Sequence, residues 1–352
     1  MMQNVYCGTL FKECGDSPVI PRGEKSWRSV ETANAGIIEQ KDMVYLYIRG
    51  TFEEGDGQRK SQIGLFAQSR KDFSPKGPWR AFKANPVLRI GAPGSFDGKE
   101  LLDSSPVVGK DGKVYLFYSA KDTNLDYSLC GSVSDDGGHS FKKFKNNPLK
   151  RHVGVNDIIF HNDRYYLYYT DCKWNEEARR VEDQLRIYVV VSDDPETFDF
   201  SKAKAVLSPG YNKEWDSLSI GGAKVFRLAG KWWMVYQGSD KHWDFPDRFH
   251  CAVSDDLVSW MKIDNNRPLF KRGKSGAWNQ GAIWQGEVRV HDDMLYLFYE
   301  AWGSEGYAPY RDVMYYEGGY SQLGLAACSI EDFLTWTQIK LSPETAIQTG
   351  FP

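Results

Sequence analysis

Short runs of aromatic and aliphatic residues recur along the chain and alternate with polar turns. Five of these runs have nearly the same sequence, and each is followed, after a variable gap, by a turn that starts with serine and contains an acidic residue. A fixed order with variable spacing indicates one supersecondary unit that is repeated with loops of different length. The runs are anchored at Tyr45, Tyr115, Tyr166, Trp233 and Tyr296, and the turns start at Ser69, Ser134, Ser192, Ser254 and Ser329.

Each repeat contains the pattern of four short strands. The second repeat shows it best: residues 105–108 precede a hairpin turn at 110–113, the aromatic run follows, and residues 129–133 lead into the turn at 135–138. The runs are rich in aromatic and β-branched residues, and Asp-Gly pairs separate them, which is typical of antiparallel hairpins. No segment carries a long apolar stripe of helical period, so helices should be few and short.

Four-stranded units repeated around an axis form a β-propeller. The sequence therefore predicts an all-β fold, a five-bladed β-propeller with four antiparallel strands per blade. The repeats leave no linker-like break, so residues 1–352 are expected to form a single domain. Residues 17–21 repeat the Pro-apolar-apolar pattern found between the blades and are predicted to close the propeller as an N-terminal strand. The predicted blades span approximately 30–90, 100–150, 153–208, 215–270 and 278–341.

Composition and charge exclude several classes of partner. The chain has 44 basic and 47 acidic residues with no block of like charge, which argues against nucleic acid and anionic membranes. No apolar run approaches the roughly 20 residues that span a bilayer, and the N-terminus has no signal-peptide pattern, so a cytoplasmic location is expected unless a signal was removed. The six cysteines show no CxxC pairing. The oligomeric state is left open.

Polar residues at the starts of the innermost strands are expected to face one another across a central funnel. Asp157 and Glu287 both lie nine residues before their anchors (166−157, 296−287) and are therefore equivalent. Several carboxylates around one cavity suit glycosidic bond cleavage, which needs one protonated and one ionised acid. The alternative for each residue is a structural cap or ion pair. The funnel candidates are Glu31, Asn34, Asp103, Asn156, Asp157, Asp216, Gln280 and Glu287.

Aromatic and basic residues extend the predicted site. Flat indole rings bind the apolar faces of sugars, and three tryptophans precede innermost strands. Long loops at 51–61, 172–183, 239–248 and 303–320 follow the second strands, a position that maps to one face and builds a binding rim. The candidates for substrate contact in these segments are Trp27, Trp215, Trp278, Trp302, His242, Arg49 and Arg248.

The chain resembles the five-bladed β-propeller glycoside hydrolases of families 32, 43, 68, 117 and 130. Residues 103–108 followed by 115–118 look like their acid–strand–hairpin unit, and residues 156–160 followed by 165–169 are similar to the family 43 segment that carries an inner-strand aspartate. Residues 34–36, 47–50 and 221–224 with 232–238 are closer to family 130. In that family the acid of the second blade donates the proton, which implies this role for Asp103.

The chain also departs from these families. The Asp-Pro that opens family 43 is absent, and residues 102–105 read Leu-Asp-Ser-Ser where family 130 has Glu-Asp-Pro-Arg. The expectation is a glycosidase that acts on a carbohydrate, with Asp103 as general acid, Asp157 as base or pKa-setting carboxylate, and Glu287, Asp216 and Glu31 in reserve. No cofactor is expected, with an axial Ca²⁺ left open. The alternatives are a family 130 phosphorylase, a sialidase-like enzyme and a non-catalytic glycan-binding propeller.

Overall fold

A computed structural model describes residues 8–15, 18–24, 26–55, 57–171, 185–211, 214–240, 246–263, 267–274, 277–303 and 320–338, and the backbone of 174–175, 180–181, 307–308 and 315–316. The fold is all-β, as predicted. The described part contains one α-helix, α1 (Ile330–Thr337), and a short 3-10 helix (Phe200–Lys202). The strands are β1 (Lys12–Glu13), β2 (Glu31–Gln40), β3 (Met43–Glu53), β4 (Arg59–Ser69), β5 (Arg80–Ala81), β6 (Glu100–Val108), β7 (Val114–Lys121), β8 (Tyr127–Ser134), β9 (Lys142–Lys143), β10 (Lys150–Arg151), β11 (Val153–His161), β12 (Arg164–Asp171), β13 (Trp174–Asn175), β14 (Arg180–Val181), β15 (Ile187–Ser192), β16 (Lys204–Leu207), β17 (Ser219–Leu228), β18 (Lys231–Ser239), β19 (Arg248–Ser254), β20 (Trp260–Lys262), β21 (Phe270–Lys271), β22 (Ala282–His291), β23 (Met294–Trp302), β24 (Tyr307–Ala308), β25 (Tyr315–Tyr316) and β26 (Gln322–Ser329).

The main strands form five antiparallel meanders, numbered here in chain order. Meander 1 is β2-β3-β4-β5, meander 2 is β6-β7-β8-β9, meander 3 is β11-β12-β15-β16 and meander 4 is β17-β18-β19-β20. Meander 5 is β22-β23-β26-β1, so its outer strand comes from the N-terminus. The anchors of the sequence repeat all lie in the second strand of a meander, where aromatic and β-branched residues pack on both faces.

The N-terminal segment pairs with β26 earlier in the chain than predicted. Lys12 and Glu13 pair with Ala327 and Ala326, whereas within the predicted segment at 17–21 Ile20 forms an isolated bridge with Leu323.

The predicted turn at Ser329 is also wrong. Its hydroxyl accepts a hydrogen bond from the backbone N–H of Asp332 and caps α1, because a serine followed by two acidic residues is a favourable helix start.

Five apolar cores lie between successive meanders. Each is built from side chains of two neighbouring meanders, and the fifth joins meander 5 to meander 1. The first strands show the same order of contact, from β2 through β6, β11, β17 and β22 and back to β2. Representative core pairs are Leu65 with Leu116, Phe117 with Leu167, Val189 with Met234, Val235 with Leu297, and Leu46 with Phe298.

Every first strand carries a break in register at the same level. The breaks lie between residues 33 and 36, 102 and 105, 155 and 157, 221 and 224, and 284 and 286. Asn34, Asp103 and Gln285 lie in them with positive φ angles of 49°, 55° and 37°, a region that glycine occupies in β17, at Gly222. A β-bulge turns its side chain away from the regular alternation of the strand, so these residues point differently from their neighbours.

The Ser–acidic turn at Ser134 is held by its second aspartate, Asp136. The carboxylate of Asp136 accepts hydrogen bonds from the hydroxyls of Ser134 (2.6 Å) and Ser140 (2.6 Å) and from the backbone N–H of Ser140 (2.9 Å). Partial burial opposes ionisation, but these hydrogen bonds outweigh it and lower the pKa of Asp136 to about 2. The hydrogen bonds within the hairpin therefore explain why this turn is present.

We expect Asp136→Ala to lower the free energy of unfolding by about 1–2 kcal/mol, because several hydrogen bonds to a charged group are lost at a partly exposed turn. Asp135→Ala is the matched control. Asp135 is exposed and pairs only with Lys113 and Lys142 at the surface, so little change is expected. Urea denaturation measures the free energy of unfolding of both variants. Equal losses in the two variants would contradict the role of Asp136 in holding the turn.

Candidate active site

One residue from each first strand occupies the same register position, and together they form what we call the axial layer. These residues pair with the position two residues after each anchor (47−45, 117−115, 168−166, 235−233, 298−296). Because the five first strands contact one another in a ring, the layer gathers its side chains where the strands meet. The axial layer consists of Gly36, Ser105, Asp157, Lys224 and Glu287.

Lys224 is the buried centre of this layer. Its side chain is 1% exposed, and its ammonium donates a hydrogen bond to the carbonyl oxygen of Ser104 (2.9 Å). The Nζ atom also lies 3.8 Å from a carboxylate oxygen of Asp157 and 3.8 Å from one of Glu287. A single ammonium thus contacts residues from β6, β11 and β22.

Asp157 is fixed by donors from three strands. Its Oδ1 accepts hydrogen bonds from the hydroxyl of Ser105 (2.7 Å) and from the backbone N–H of Ile158 (2.9 Å), and its Oδ2 accepts from the backbone N–H of Val225 (2.8 Å). The carboxylate therefore has a defined orientation and connects β6, β11 and β17.

The surroundings of Glu287 favour the protonated form of its carboxyl group. Burial is the largest cause and raises the pKa of Glu287 to about 8; Lys224 opposes this increase, and the nearby Asp157 adds to it. A carboxyl group with such a pKa carries its proton near neutral pH, which is the state that a general acid requires.

A second group of charges, the Arg49 cluster, joins meanders 1 and 5. The guanidinium of Arg49 lies 2.9 Å from Glu300 and 3.5 Å from Glu31. Burial alone would lower the pKa of Arg49, but Glu300 and Glu31 outweigh it and raise that pKa. Asn34 donates hydrogen bonds to Glu300 (2.7 Å) and to Gln285 (3.2 Å).

Asp103 lies within electrostatic range of both the Arg49 cluster and the axial layer. Its side chain is at the bulge of β6, and the residue is 9% exposed. Burial raises the pKa of Asp103, while a hydrogen bond from Ser119 and the charges of Arg49 and Lys224 partly offset that increase. Since Asp103 interacts with the cations of both groups, the two groups belong to one polar site.

The structure brings together six of the predicted site residues: Glu31, Asn34, Arg49, Asp103, Asp157 and Glu287. Asn156 lies at the bulge of β11, where its amide donates to the hydroxyl of Thr170 (2.8 Å). Their roles in substrate binding or catalysis stay predictions.

Asp216 does not share the contacts of this group. Its buried carboxylate pairs with Lys262 of the outer strand β20 (2.6 Å) and accepts from the backbone N–H of Gly210 (3.1 Å). Asp97 makes the corresponding ion pair with Lys143 of the outer strand β9. Both ion pairs hold the loop before a first strand against an outer strand. The surroundings of Asp216 therefore do not support the prediction that it faces the funnel.

The three tryptophans that precede first strands pack on their own meanders. Trp27 lies against Gly50 and Gly64, where any Cβ atom would collide with its ring. Trp215 stacks on His250 with 4.6 Å between ring centroids, and Trp278 stacks on Tyr299 at 5.9 Å. The rings cover second and third strands, because a large apolar surface is stabilised there by burial. These contacts therefore do not place the three indole rings in the predicted funnel.

The remaining candidates are distributed over the ends of meanders 4 and 5. Arg248 forms two hydrogen bonds to Asp247 (2.8 and 3.1 Å) and lies over the Trp215 ring. The amide of Gln280 donates to the carbonyl of Gly303, and Trp302 is buried at the end of β23. His242 lies outside the described residues, together with the rest of the segment 241–245.

Three site residues escaped the sequence analysis: Lys224, Glu300 and Gln285. Lys224 lies nine residues before Trp233 (233−224), the spacing that identified Asp157 and Glu287. Glu300 lies four residues after its anchor, and the equivalent positions in the other meanders are also polar. We call these five positions the polar ring: Arg49, Ser119, Thr170, Gln237 and Glu300.

The polar ring ties neighbouring meanders together through hydrogen bonds. Ser119 accepts from the backbone N–H of Val155 (2.9 Å), and Gln237 accepts from the backbone N–H of Gln285 (2.7 Å). Both bonds satisfy backbone donors at bulges, which have no partner in the strand ladder. A search for polar residues at this spacing would have identified the ring.

Comparison with solved structures finds the same fold in proteins that are named as glycoside phosphorylases and hydrolases. A β-1,2-mannobiose phosphorylase from Listeria innocua, in complex with β-1,2-mannobiose, has a TM-score of 0.60 at 12% identity over 88% of this chain and 93% of that one. A glycosyl hydrolase from Bacteroides ovatus has 0.60 at 15% identity over 91% and 94%. The catalytic domain of a family 62 α-L-arabinofuranosidase from Coprinopsis cinerea has 0.59 at 13% over 91% and 97%.

The chain shares the fold of these proteins. The predicted resemblance to the glycoside hydrolase group is thereby confirmed at the level of the fold. No protein-family model matches the sequence, and no curated protein matches it. In the part of the chain that the structure describes, no helix is long and apolar enough to cross a membrane.

The raised pKa of Glu287 predicts a specific pH dependence of stability. Between its ordinary value of 4.5 and about 8, the unfolded chain has released this proton while the folded protein still holds it. This contribution to stability is therefore complete below pH 4.5 and is lost as the pH rises towards 8. We expect the melting temperature of Glu287→Gln to fall less between pH 5 and pH 8 than that of the wild type.

Glu331→Gln, at an exposed position of α1, is the matched control and should follow the wild-type profile. Scanning calorimetry across this pH range measures all three proteins. Parallel profiles for the wild type and Glu287→Gln would contradict the placement of a proton on Glu287.

Proposed function

We propose that the five meanders are the blades of one five-bladed β-propeller domain closed by the N-terminal strand. We further propose that the polar site is the active site of a glycoside hydrolase that cleaves an oligosaccharide or glycoside. The cores between all five neighbouring pairs of meanders and the cyclic order of first-strand contacts support the propeller. The shared fold with carbohydrate-active proteins supports the substrate class.

The observation that carries the proposed reaction is the environment of Asp103. A buried carboxyl group with a raised pKa lies beside ionised groups in a site that contains further carboxylates. Glycosidic cleavage requires one acid that is protonated at rest and a second carboxylate that remains available to water or to positive charge. Burial shifts the pKa of Asp103 in the direction of the first requirement, and the three donors that orient Asp157 suit the second.

In the proposed mechanism Asp103 gives its proton to the leaving glycosidic oxygen. Asp157, held by three donors, either accepts a proton from the attacking water or stabilises the positive charge on the sugar. Glu287 and Glu31 are the further carboxylates within the same site. Each general acid or base step of this kind contributes about 10²–10⁴-fold to the rate.

Phosphorolysis is the nearest alternative, because one structural neighbour is a phosphorylase. A phosphate would need a free cation in the site. Arg49 is already paired with Glu300 and Glu31, and Lys224 with Asp157 and Glu287. Both cations therefore have their charge satisfied by carboxylates, which favours hydrolysis. Arg179, Arg180 and Arg186 are further basic residues in meander 3; the side chains of the first two lie outside the described residues, and Arg186 is exposed.

A non-catalytic glycan-binding propeller is the second alternative, and one observation favours it. It predicts that the funnel acids pair with lysine or arginine, and Glu31, Asp157 and Glu287 do so. Asp103 differs: among the described residues, no lysine or arginine lies within ion-pair distance of its carboxylate. The substitution of Asp103 therefore separates catalysis from binding.

We expect Asp103→Asn to lower turnover by about 10²–10⁴-fold, because the amide cannot donate the proton. Asparagine tolerates a positive φ angle, so the melting temperature should change little. Asp216→Asn is the matched control: it should lower stability by breaking the Lys262 pair while folded protein keeps its turnover. Hydrolysis of a panel of aryl glycosides and oligosaccharides measures both.

Unchanged turnover of Asp103→Asn on a substrate of the wild type would overturn the assignment. If the wild type binds glycans in calorimetry but hydrolyses none of the panel, and Asp103→Asn binds equally well, the non-catalytic alternative is correct.

Hydrolysis and phosphorolysis differ in their need for phosphate. We expect product release at the same rate in phosphate-free buffer and in millimolar phosphate, with free reducing sugar as the product. Chromatography that separates free sugar from sugar 1-phosphate provides the measurement. Strict dependence on added phosphate, with sugar 1-phosphate formed, would instead identify a phosphorylase.

A further inference from the structure

The ammonium of Lys224 lies where the first strands of four meanders meet. Lys224 belongs to β17, its hydrogen-bond acceptor Ser104 belongs to β6, and the two acids 3.8 Å from its Nζ belong to β11 and β22. The fifth first strand, β2, approaches the same place through Gly36. A Cβ atom on Gly36 would lie 2.5 Å from the carbonyl oxygen of Ser104, the oxygen that accepts from Lys224.

The groups around this ammonium are those that normally surround a hard metal cation. Hard cations bind carboxylate and carbonyl oxygens, and here two carboxylates and one carbonyl converge on one point. An ammonium carries a positive charge and three N–H donors; here it donates one hydrogen bond to the carbonyl and lies at ion-pair distance from both acids.

The layer needs a positive charge at this point. Asp157 and Glu287 are both largely buried, with side chains 10% and 15% exposed, and they interact with each other electrostatically. Buried carboxylates without a counter-ion are strongly unfavourable. Arg49 interacts with Asp103 on the other side of the site and is occupied by Glu300 and Glu31, so Lys224 is the cation paired with these two acids.

We propose that Lys224 is the fixed axial cation of the site, which supplies from the chain itself the positive charge that a bound metal ion would otherwise supply between Asp157 and Glu287. Lys224 is therefore a positioning residue. Its ammonium holds the two carboxylates at a set distance and ties β17 to β6, β11 and β22. The catalytic consequence rests on the proposed function, whereas the cation role does not.

Replacement of Lys224 by alanine tests the role directly, because it removes a propylammonium fragment and leaves its space. We expect Lys224→Ala to melt at a lower temperature than the wild type, and millimolar n-propylammonium to raise its melting temperature by several degrees. n-Propanol has nearly the same shape without the charge and should have no such effect. Tetramethylammonium has the charge without the shape or the N–H donors, and it should also fail. The wild type should respond to none of the three.

If Lys224→Ala does not fold, a second pair of variants tests whether Lys224 is the counter-ion of the two acids. Lys224→Met keeps the length of the side chain and removes its charge, so two acids remain without a counter-ion. Lys224→Met combined with Glu287→Gln removes one of those acids. We expect the double variant to melt at a higher temperature than Lys224→Met alone, and to lose less of its melting temperature between pH 5 and pH 8.

Two results would overturn the proposal. One is equal recovery of Lys224→Ala with n-propanol and with n-propylammonium, which would show that only volume matters. The other is a Lys224→Met variant as stable as the wild type, with no gain from Glu287→Gln. Because these measurements need no substrate, an absence of turnover in the wild type would count against the proposed enzyme and not against the axial cation.

With an active wild type, n-propylammonium should restore turnover of Lys224→Ala together with its melting temperature. Restored stability without restored turnover would limit Lys224 to a structural role and contradict its role as a positioning residue.

Discussion

Burial of one ammonium and two acidic side chains at the meeting point of the first strands is the constraint on which the site depends. The three groups leave water together, and most of the groups that stabilise them belong to neighbouring strands. Such a group is stable when its geometry is good and its remaining donors and acceptors are satisfied. The position of every first strand is therefore linked to the position of Lys224.

The bulges and the polar ring explain how strands can present chemistry towards their meeting point. A regular strand alternates its side chains between two faces, both of which are needed here for the cores between meanders. At the break in register, one residue of each first strand does not pack into a core. Asn34, Asp103 and Gln285 are three of these residues. The polar ring then satisfies the backbone groups that the break leaves open.

The sequence repeat predicted the all-β fold and located several site residues, because the same spacing recurs in each unit. Asp157 and Glu287 were found in this way. Lys224 has the same spacing, but it is neither an acid nor an amide, the two residue types expected in the funnel. The funnel positions of Trp27, Trp215, Trp278 and Asp216 stay predictions. The contacts of the tryptophans are with their own meanders, and Asp216 pairs with the outer strand β20. Sequence spacing cannot distinguish these cases, because they differ only in the direction of the side chain.

We propose that the polar site around Asp103 binds and cleaves a sugar chain. A crystal structure of the Asp103→Asn variant with an intact oligosaccharide would show where the chain binds. We expect a glycosidic oxygen within hydrogen-bonding distance of the side chain at position 103, with the adjoining sugar beside Asp157 and Glu287. An oligosaccharide bound away from these three residues would contradict it.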